Sequence, residues 1–109
     1  MDNNIRISLL LKIGRAALGW TQEELCDQLK IAKSTLARIE MLDMIPTGQF
    51  LIIVLRLFKS HGVDINIIED DITIKINKIG VENLKNKLIG SQNKRSDRKK
   101  KINIKNVTS

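Results

Sequence analysis

Apolar residues recur every three or four positions through the first half of the chain, which is the spacing of amphipathic helices. A first helix is predicted over 8–18, with Ser8 capping its start and Gly19 ending it. The residues expected to face the interior from this helix are Leu9, Ile13, Ala16 and Ala17.

Two short helices are predicted next, with a brief break between them. Thr21 and Glu24 have the spacing of a capping box, in which the hydroxyl and the carboxylate each accept a backbone N–H of the first turn. Leu25 and Leu29 form the expected buried edge of the first of these two helices. The next helix, over 33–41, has a buried face with Ala32, Leu36 and Ile39 and an opposite face with Ser34, Ala37, Arg38 and Met41. This pair forms a helix-turn-helix pattern.

After the helix-turn-helix, one more helical segment is followed by a stretch in which the spacing of apolar residues changes to every second position. A fourth helix is predicted from Thr47 to about residue 60, with Gly62 ending it. Isoleucines that alternate with polar residues on either side of an acidic turn at 69–71 predict a β-hairpin: Ile65, Ile67, Ile72, Ile74 and Ile76. A short final helix over 81–89 is expected to bury Val81, Leu84 and Leu88 and to stop at Gly90. The pattern therefore predicts a mostly α fold with a C-terminal hairpin and short helix.

Composition narrows the chemistry that this fold can carry. The 109 residues fit one domain, and the single cysteine excludes an internal disulfide and a cysteine zinc site. One histidine, His61, leaves little for metal or nucleophilic chemistry, so we expect no metal, no cofactor and no enzymatic activity. No apolar run approaches the roughly 20 residues of a membrane span, and residues 1–9 do not resemble a signal peptide. A cytoplasmic protein without a membrane partner is expected.

The net charge of +7 is concentrated at one end of the chain. Residues 91–109 contain seven basic residues and one acid, which leaves a net charge of +1 for residues 1–90. This segment is polar and almost free of apolar residues, so a basic disordered tail is expected there. Because the charge lies in the tail, nucleic-acid binding by the body must be argued from its motifs.

Two sequence stretches carry a specific resemblance: GRAALGWTQEEL at 14–25 and STLARIE at 34–40. With this spacing, the segment 8–62 resembles the phage-repressor, or Cro/Xre-type, helix-turn-helix family. The resemblance implies a compact repressor-like bundle of four or five helices that docks its third helix in the major groove of double-stranded DNA. It also implies transcriptional regulation, usually repression, by a homodimer.

The resemblance also assigns candidate DNA contacts. Lys33, Ser34 and Arg38 occupy the positions that face base edges in the family, and lysine and arginine match the acceptor pair of guanine. Ala37 is small enough to meet a thymine methyl group. The alternative is an ordinary solvated helix face.

Other residues of the motif have candidate backbone or structural roles. Gln22, in the first turn of the second helix, is expected to donate to a DNA phosphate, unless it serves only as a helix-start residue. Thr35 either contacts phosphate or fills space. Glu40 lies near the apolar face and needs a partner, because an unpaired buried charge is costly. The family pattern pairs this position with Arg15 in a structural ion pair.

The sequence departs from the family at three points. Lys30 replaces the usual glycine of the turn, which costs about 1–2 kcal/mol if the backbone there is left-handed. Ala32 replaces the usual hydroxyl cap of the third helix, at a cost of roughly 1 kcal/mol. The usual Asn-Gly turn after Glu40 is replaced by MLDMI at 41–45, which puts the backbone–phosphate contacts expected there in doubt.

Three regions follow from these observations: a DNA-binding domain over 1–62, a hairpin and helix over 63–90, and the tail over 91–109. An isolated hairpin with an apolar face is marginal in water, so 63–89 is expected to form a homodimer interface or, alternatively, to close the monomer core. The tail either follows DNA phosphates or only keeps the protein in solution. The function predicted is a sequence-specific DNA-binding transcriptional regulator that acts as a repressor. The alternatives are an antitoxin-like protein whose main partner is a toxin and a protein-interaction module without DNA readout.

Overall fold

A computed structural model describes the backbone of residues 3–99 and the side chains of residues 4–90. Its seven elements, in chain order, are α1 (Asn3–Leu18), α2 (Gln22–Leu29), α3 (Lys33–Glu40), α4 (Gly48–Ser60), β1 (Val63–Ile68), β2 (Asp71–Ile76) and α5 (Lys78–Lys99). The predicted fold class, mostly α with a hairpin after the helix-turn-helix, is confirmed. Among the described residues, no helix contains an apolar stretch that could span a lipid bilayer.

The first helix differs from its prediction in both start and phase. It begins at Asn3, so Ser8 is not a cap but a buried residue inside the helix. Leu9 and Ala16, expected inside, are exposed, whereas Leu10 and Leu11 are fully buried. The segment ISLLL at 7–11 is apolar at almost every position, so the sequence alone left the rotation of α1 open.

Gly14 shows what fixes that rotation. A Cβ atom at this position would lie 2.2 Å from Cε2 of Phe58, so the ring occupies the space that a side chain would need. Phe58 is itself fully buried. Close packing of α4 against the glycine therefore decides which face of α1 is inside, because protein interiors do not tolerate such overlap.

The predicted helix boundaries hold elsewhere in the helical half. Gly19 has a φ of 69° and follows the end of α1, as expected for a glycine stop. The capping box at Thr21 and Glu24 is confirmed, with both of its hydrogen bonds present. Thr47 caps α4, since its hydroxyl accepts from the N–H of Phe50 at 3.1 Å.

The hairpin is antiparallel and turns on two residues, Glu69 and Asp70, because Asp71 already pairs with Ile68. Glu69 has a φ of 53°, which a tight hairpin turn requires. All five alternating isoleucines lie on one face, since the register pairs Ile65 with Ile74 and Ile67 with Ile72 and places Ile76 opposite Val63. That face is unevenly covered: Ile65 of β1 is buried in the core, whereas Ile74 and Ile76 of β2 are 38% and 42% exposed.

The last helix is longer than predicted. It continues through Gly90 to Lys99, so the predicted stop at Gly90 is wrong and residues 91–99 of the expected disordered tail are helical. Residues 100–109 of that tail lie outside the described residues. A single glycine costs a helix only about 1 kcal/mol and does not have to end it. The predicted buried face is also wrong in part, because Val81 and Leu88 are exposed and, of the three residues expected there, Leu84 alone is half-buried.

The start of α5 is tied closely to the start of the hairpin. Gly62 has a φ of 91°, and a Cβ atom there would lie 2.3 Å from the backbone nitrogen of Gly80. The backbone N–H of Asn77 donates to the backbone carbonyl of Gly62 at 3.0 Å. Further along, Lys87 forms an ion pair with Glu24 at the first turn of α2. These contacts place α5 alongside the α1–α2 turn.

Candidate nucleic-acid interface

The third helix separates its residues into a buried and an exposed face. Leu36 and Ile39 are buried in the core, whereas Lys33, Ser34 and Arg38 are exposed. The other two candidate contacts on this helix, Ala37 and Thr35, are half-buried. An α-helix with its side chains is about 10–12 Å in diameter, so the eight-residue α3 fits a major groove of about 12 Å width.

The two cations of this face form no ion pair with any of the described side chains. The ion pairs in this part of the chain are Arg6–Asp70, Arg15–Glu40 and Lys87–Glu24. Neither Lys33 nor Arg38 belongs to one of these pairs. Both charges are therefore free to meet an acceptor outside the protein.

Glu40, at the end of α3, is the centre of a polar network inside the domain. Its side chain is 3% exposed, and the carboxylate accepts from Arg15 twice, from Nη2 at 2.9 Å and from Nε at 3.0 Å. Its backbone oxygen accepts from the hydroxyl of Ser8 at 2.6 Å. The structure thus brings Arg15 and Glu40 together in a two-bond pair, the geometry in which arginine holds a carboxylate most strongly. This network joins α1 to α3.

Gln22 belongs to the same network, which the sequence did not reveal. Its side-chain Nε2 donates to Oε1 of Glu40 at 3.0 Å. This bond fixes the side chain of the first residue of α2 against the last residue of α3. One N–H of the amide and the unpaired backbone N–H groups of the first turn stay available for an anion. One of the two side-chain N–H groups of Gln22 is therefore already used, and the bond holds α2 against α3.

The turn between α2 and α3 keeps the geometry of a glycine turn without the glycine. Lys30 has φ and ψ of 58° and 46°, in the left-handed region. Its N–H and that of Ile31 both donate to the carbonyl of Cys26. Ala32 caps α3 without a side-chain hydrogen bond. The turn between the two helices therefore has a strained backbone at Lys30, and α3 begins without a side-chain hydrogen bond at its N-cap.

Cys26 is packed into this turn. Its side chain is buried, and the thiol donates a weak hydrogen bond to the carbonyl of Ala32 at 3.8 Å. Burial raises the pKa of the thiol, and the nearby carboxylate of Asp27 raises it further. Both effects keep the thiol neutral, so its role here is packing.

The loop after α3 leaves apolar side chains in solvent. Met41 and Ile45 are each 71% exposed, and Leu42, with a φ of 68°, is also exposed. Met44, in contrast, turns inward and packs against the core. This loop follows directly from the exposed face of α3, so the candidate interface has an apolar edge.

His61 stands apart from the candidate interface. It caps the C-terminus of α4, and its ring meets Trp20 edge-on with centroids 4.9 Å apart. Its carbonyl accepts from the side chain of Asn83 on α5 at 3.3 Å. These contacts give it a role in packing.

Comparison with known proteins gives one match. A family model described as helix-turn-helix matches residues 11–65, which is half of the chain and extends from α1 into β1. No curated protein and no solved structure matches. The match contains every candidate DNA contact and both residues of the ion pair.

Proposed function

The chain belongs to the Cro/Xre-type helix-turn-helix family of DNA-binding regulators, and from this premise we propose that it recognises a specific operator through α3 in the major groove. The observation that carries the proposal is the division of α3 into an apolar face fixed in the core and an exposed face with Lys33, Ser34 and Arg38. A helix presented in this way can enter the groove without rearrangement of the domain.

Each exposed side chain of α3 has a chemical counterpart in the groove. Lys33 and Arg38 donate to the O6 and N7 acceptors of guanine, and Ser34 donates or accepts according to the base. Ala37 contacts a thymine methyl group. A good contact of this kind discriminates against the wrong base by about 1–3 kcal/mol.

The first turn of α2 supplies the phosphate contact in this proposal. Backbone N–H groups and the helix dipole favour an anion there. Gln22 adds its remaining amide N–H, held in place by Glu40. Because Glu40 is the last residue of α3, its bond to Gln22 holds the phosphate contact at a fixed position relative to the base contacts. Thr35, half-buried on α3, is a second candidate phosphate contact.

We assign homodimerisation to the region 63–89. Ile74 and Ile76 leave one edge of the hairpin face uncovered, and Val81 and Leu88 are exposed on α5. Ile76 meets the start of α5 at Gly80, next to Val81, and Leu88 follows two turns later on the same side of the helix. A second copy would cover this surface and would place two α3 helices on half-sites about 34 Å apart. Repression then follows from exclusion of polymerase at the operator.

The basic segment at the end of the chain is proposed to add affinity without sequence preference. The helix α5 carries the chain past the α1–α2 turn and on to Lys99. Its sequence after residue 91 holds Lys94, Arg95, Arg98 and Lys99 against one acid. Replacement of these four residues by glutamine should reduce the salt dependence of binding, with a slope change of about 0.9 for each phosphate that the protein no longer neutralises. Unchanged salt dependence would leave the segment with a solubilising role only.

A second candidate function is a protein-interaction module, in which we include an antitoxin-like protein bound to a toxin. The observation that favours it is the exposed apolar loop with Met41, Leu42 and Ile45 beside α3, on a body whose net charge is only +1. An apolar edge of this kind fits a protein partner better than a phosphate backbone. Cytoplasmic location and the absence of enzymatic activity are part of both proposals.

Selection of bound sequences from random duplex DNA tests the first proposal. The expected result is an enriched inverted repeat, and a triple replacement of Lys33, Ser34 and Arg38 by alanine should abolish its enrichment. Lys59 is exposed in the last turn of α4 and is not a candidate contact, and Lys59→Ala is the matched control that should keep the operator. No enrichment, or enrichment that survives the triple replacement, would reject readout by α3. Retention of a protein partner by the same variant would favour the interaction module.

A further inference from the structure

A cavity lies between the N-terminal half of α1, α4 and β1. Its volume is about 360 Å³, and the residues within 4–90 that line it are Arg6, Ile7, Leu51 and Ile67. Small-molecule sites in proteins have volumes of this order and combine an apolar wall with a few polar groups. Three apolar side chains and one guanidinium match that description.

Arg6 carries the charge of this lining, and its hydrogen bonds are incomplete. Its side chain is 14% exposed, and Nη2 pairs with Oδ1 of Asp70 in the hairpin turn. Nε is buried and has no hydrogen-bond partner among the described residues. A buried donor without an acceptor is costly, so the guanidinium has unused capacity for an anion.

Asp70 shows which anion the position accepts. Its carboxylate reaches Arg6 from a side chain that is 83% exposed. An ion pair with so exposed a partner contributes little to stability and is easily exchanged. A carboxylate that arrives with its own apolar body can therefore replace Asp70 and gain the burial of that body as well.

We propose that this cavity binds a small amphiphilic carboxylate, with its acid group on Arg6 and its apolar body between Ile7, Leu51 and Ile67. At about 30 Å³ for each water-sized group, the cavity accommodates roughly a dozen heavy atoms. A monoanion matches the single arginine among the described lining residues, whereas a phosphate ester would bring a second negative charge of about −0.5 to −1.

The position of the cavity gives binding a structural consequence. Its walls come from α1, α4 and β1, so a ligand joins the hairpin to the helical domain. The proposed dimer surface is on that hairpin and on α5. A regulatory effect of the ligand on operator binding therefore rests on the proposed function, whereas binding itself does not.

The test uses the full chain with sodium octanoate as the probe, and with sodium acetate and 1-octanol as matched controls. Octanoate should raise the midpoint of thermal unfolding with a dissociation constant of about 0.1–1 mM, because ligand binding to the native state stabilises it. Acetate lacks the apolar body and octanol lacks the charge, so each should bind at least about tenfold more weakly. Amide chemical shifts should change around Ile7, Leu51 and Ile67.

Four variants locate the site. Arg6→Gln and Leu51→Phe should each weaken octanoate binding by at least about tenfold, the first by removal of the charge and the second by occupation of the cavity. Asp70→Asn should tighten binding severalfold, because it removes the competing carboxylate. Asp71→Asn, which removes a neighbouring charge that is not paired with Arg6, should leave binding unchanged.

Several results would overturn the proposal. These are no binding of octanoate at about 10 mM, equal binding of octanol, or chemical-shift changes away from the three lining residues. Equal effects of the Asp70 and Asp71 variants would also reject recognition by Arg6.

Addition of octanoate to the operator complex separates the two proposals. Octanoate that binds without changing operator affinity supports the site and rejects regulation, and a failed operator selection alongside normal octanoate binding rejects only the proposed function.

Discussion

The helical half and the C-terminal half of this chain treat their apolar and polar groups in opposite ways. From α1 to α3, the large apolar side chains are buried or half-buried apart from Ile5 and Leu9, and the buried acid, Glu40, has three hydrogen-bonded donors on its carboxylate. From β2 to α5, isoleucines, a valine and a leucine stay partly in solvent. The helical half thus has a core closed around a satisfied polar network, and its most exposed apolar side chains, Met41 and Ile45, are in the loop after α3. In the C-terminal half, exposed apolar side chains lie on both β2 and α5.

That difference suggests a division of labour. A complete domain with unpaired cations on α3 is suited to a polar partner such as DNA. A hairpin with one covered and one uncovered strand is suited to association. Changes in the helical half should therefore alter stability, and changes in the C-terminal half should alter assembly.

The largest effect is expected from Arg15→Ala. It leaves Glu40 buried with Gln22 as the one remaining donor to its carboxylate among the described side chains, and it should lower the free energy of unfolding by about 3 kcal/mol. Urea denaturation measures this change. Lys12→Ala, on an exposed position of the same helix, should change stability by less than about 0.5 kcal/mol. Equal stability of the two variants would show that the Glu40 network does not hold the helical half together.

The double replacement Val81→Glu and Leu88→Glu tests the other half. These residues are two turns apart on one side of α5 and exposed, so monomer stability should change by less than about 0.5 kcal/mol. Dimerisation should weaken about 30-fold, or about 2 kcal/mol, since charges would enter an apolar interface. Analytical ultracentrifugation measures the dissociation constant of the dimer. Ile53→Glu, at an exposed position of α4, is the control that should leave this constant unchanged. A native chain that stays monomeric at micromolar concentration and still binds DNA tightly would remove the dimer proposal.

Lys30→Gly tests the strained turn of the helical half. Since Lys30 is in the left-handed region, glycine should stabilise the protein by about 1 kcal/mol. The same replacement at Lys12, in the middle of α1, should destabilise it by about 1 kcal/mol. Thermal unfolding of the two variants should shift in opposite directions, and a shift in the same direction would contradict the assignment of strain to Lys30.

Cys26 gives the smallest expected effect. Burial raises the pKa of its thiol, so the folded state holds the proton more tightly than the unfolded state does. The associated stability is complete below the ordinary pKa, near 9.0, and is lost as the pH rises above it. The native chain should therefore lose stability more steeply above pH 9 than Cys26→Ala does, as measured by urea denaturation at a series of pH values. Parallel profiles would show that the thiol is solvated in the native state.

The sequence alone determined the parts of this protein that depend on local spacing. The capping box at Thr21, the helix start at Thr47, the stop at Gly19 and the alternation of isoleucines in the hairpin are readable because each depends on residues close together in the chain. The family resemblance at 14–25 and 34–40 is equally local, and the match over 11–65 confirms it.

Tertiary structure decided what depends on residues far apart in the chain. The phase of α1 follows from Phe58 against Gly14, since an apolar run fits several rotations. The bond between Gln22 and Glu40, and that between Arg6 and Asp70, each join elements that the sequence cannot place side by side. Exposure of Val81 and Leu88 was equally hidden, because a helical period marks an apolar side but not the surface that covers it. Packing is a property of the whole chain, and only the folded molecule shows which apolar groups are still without a partner.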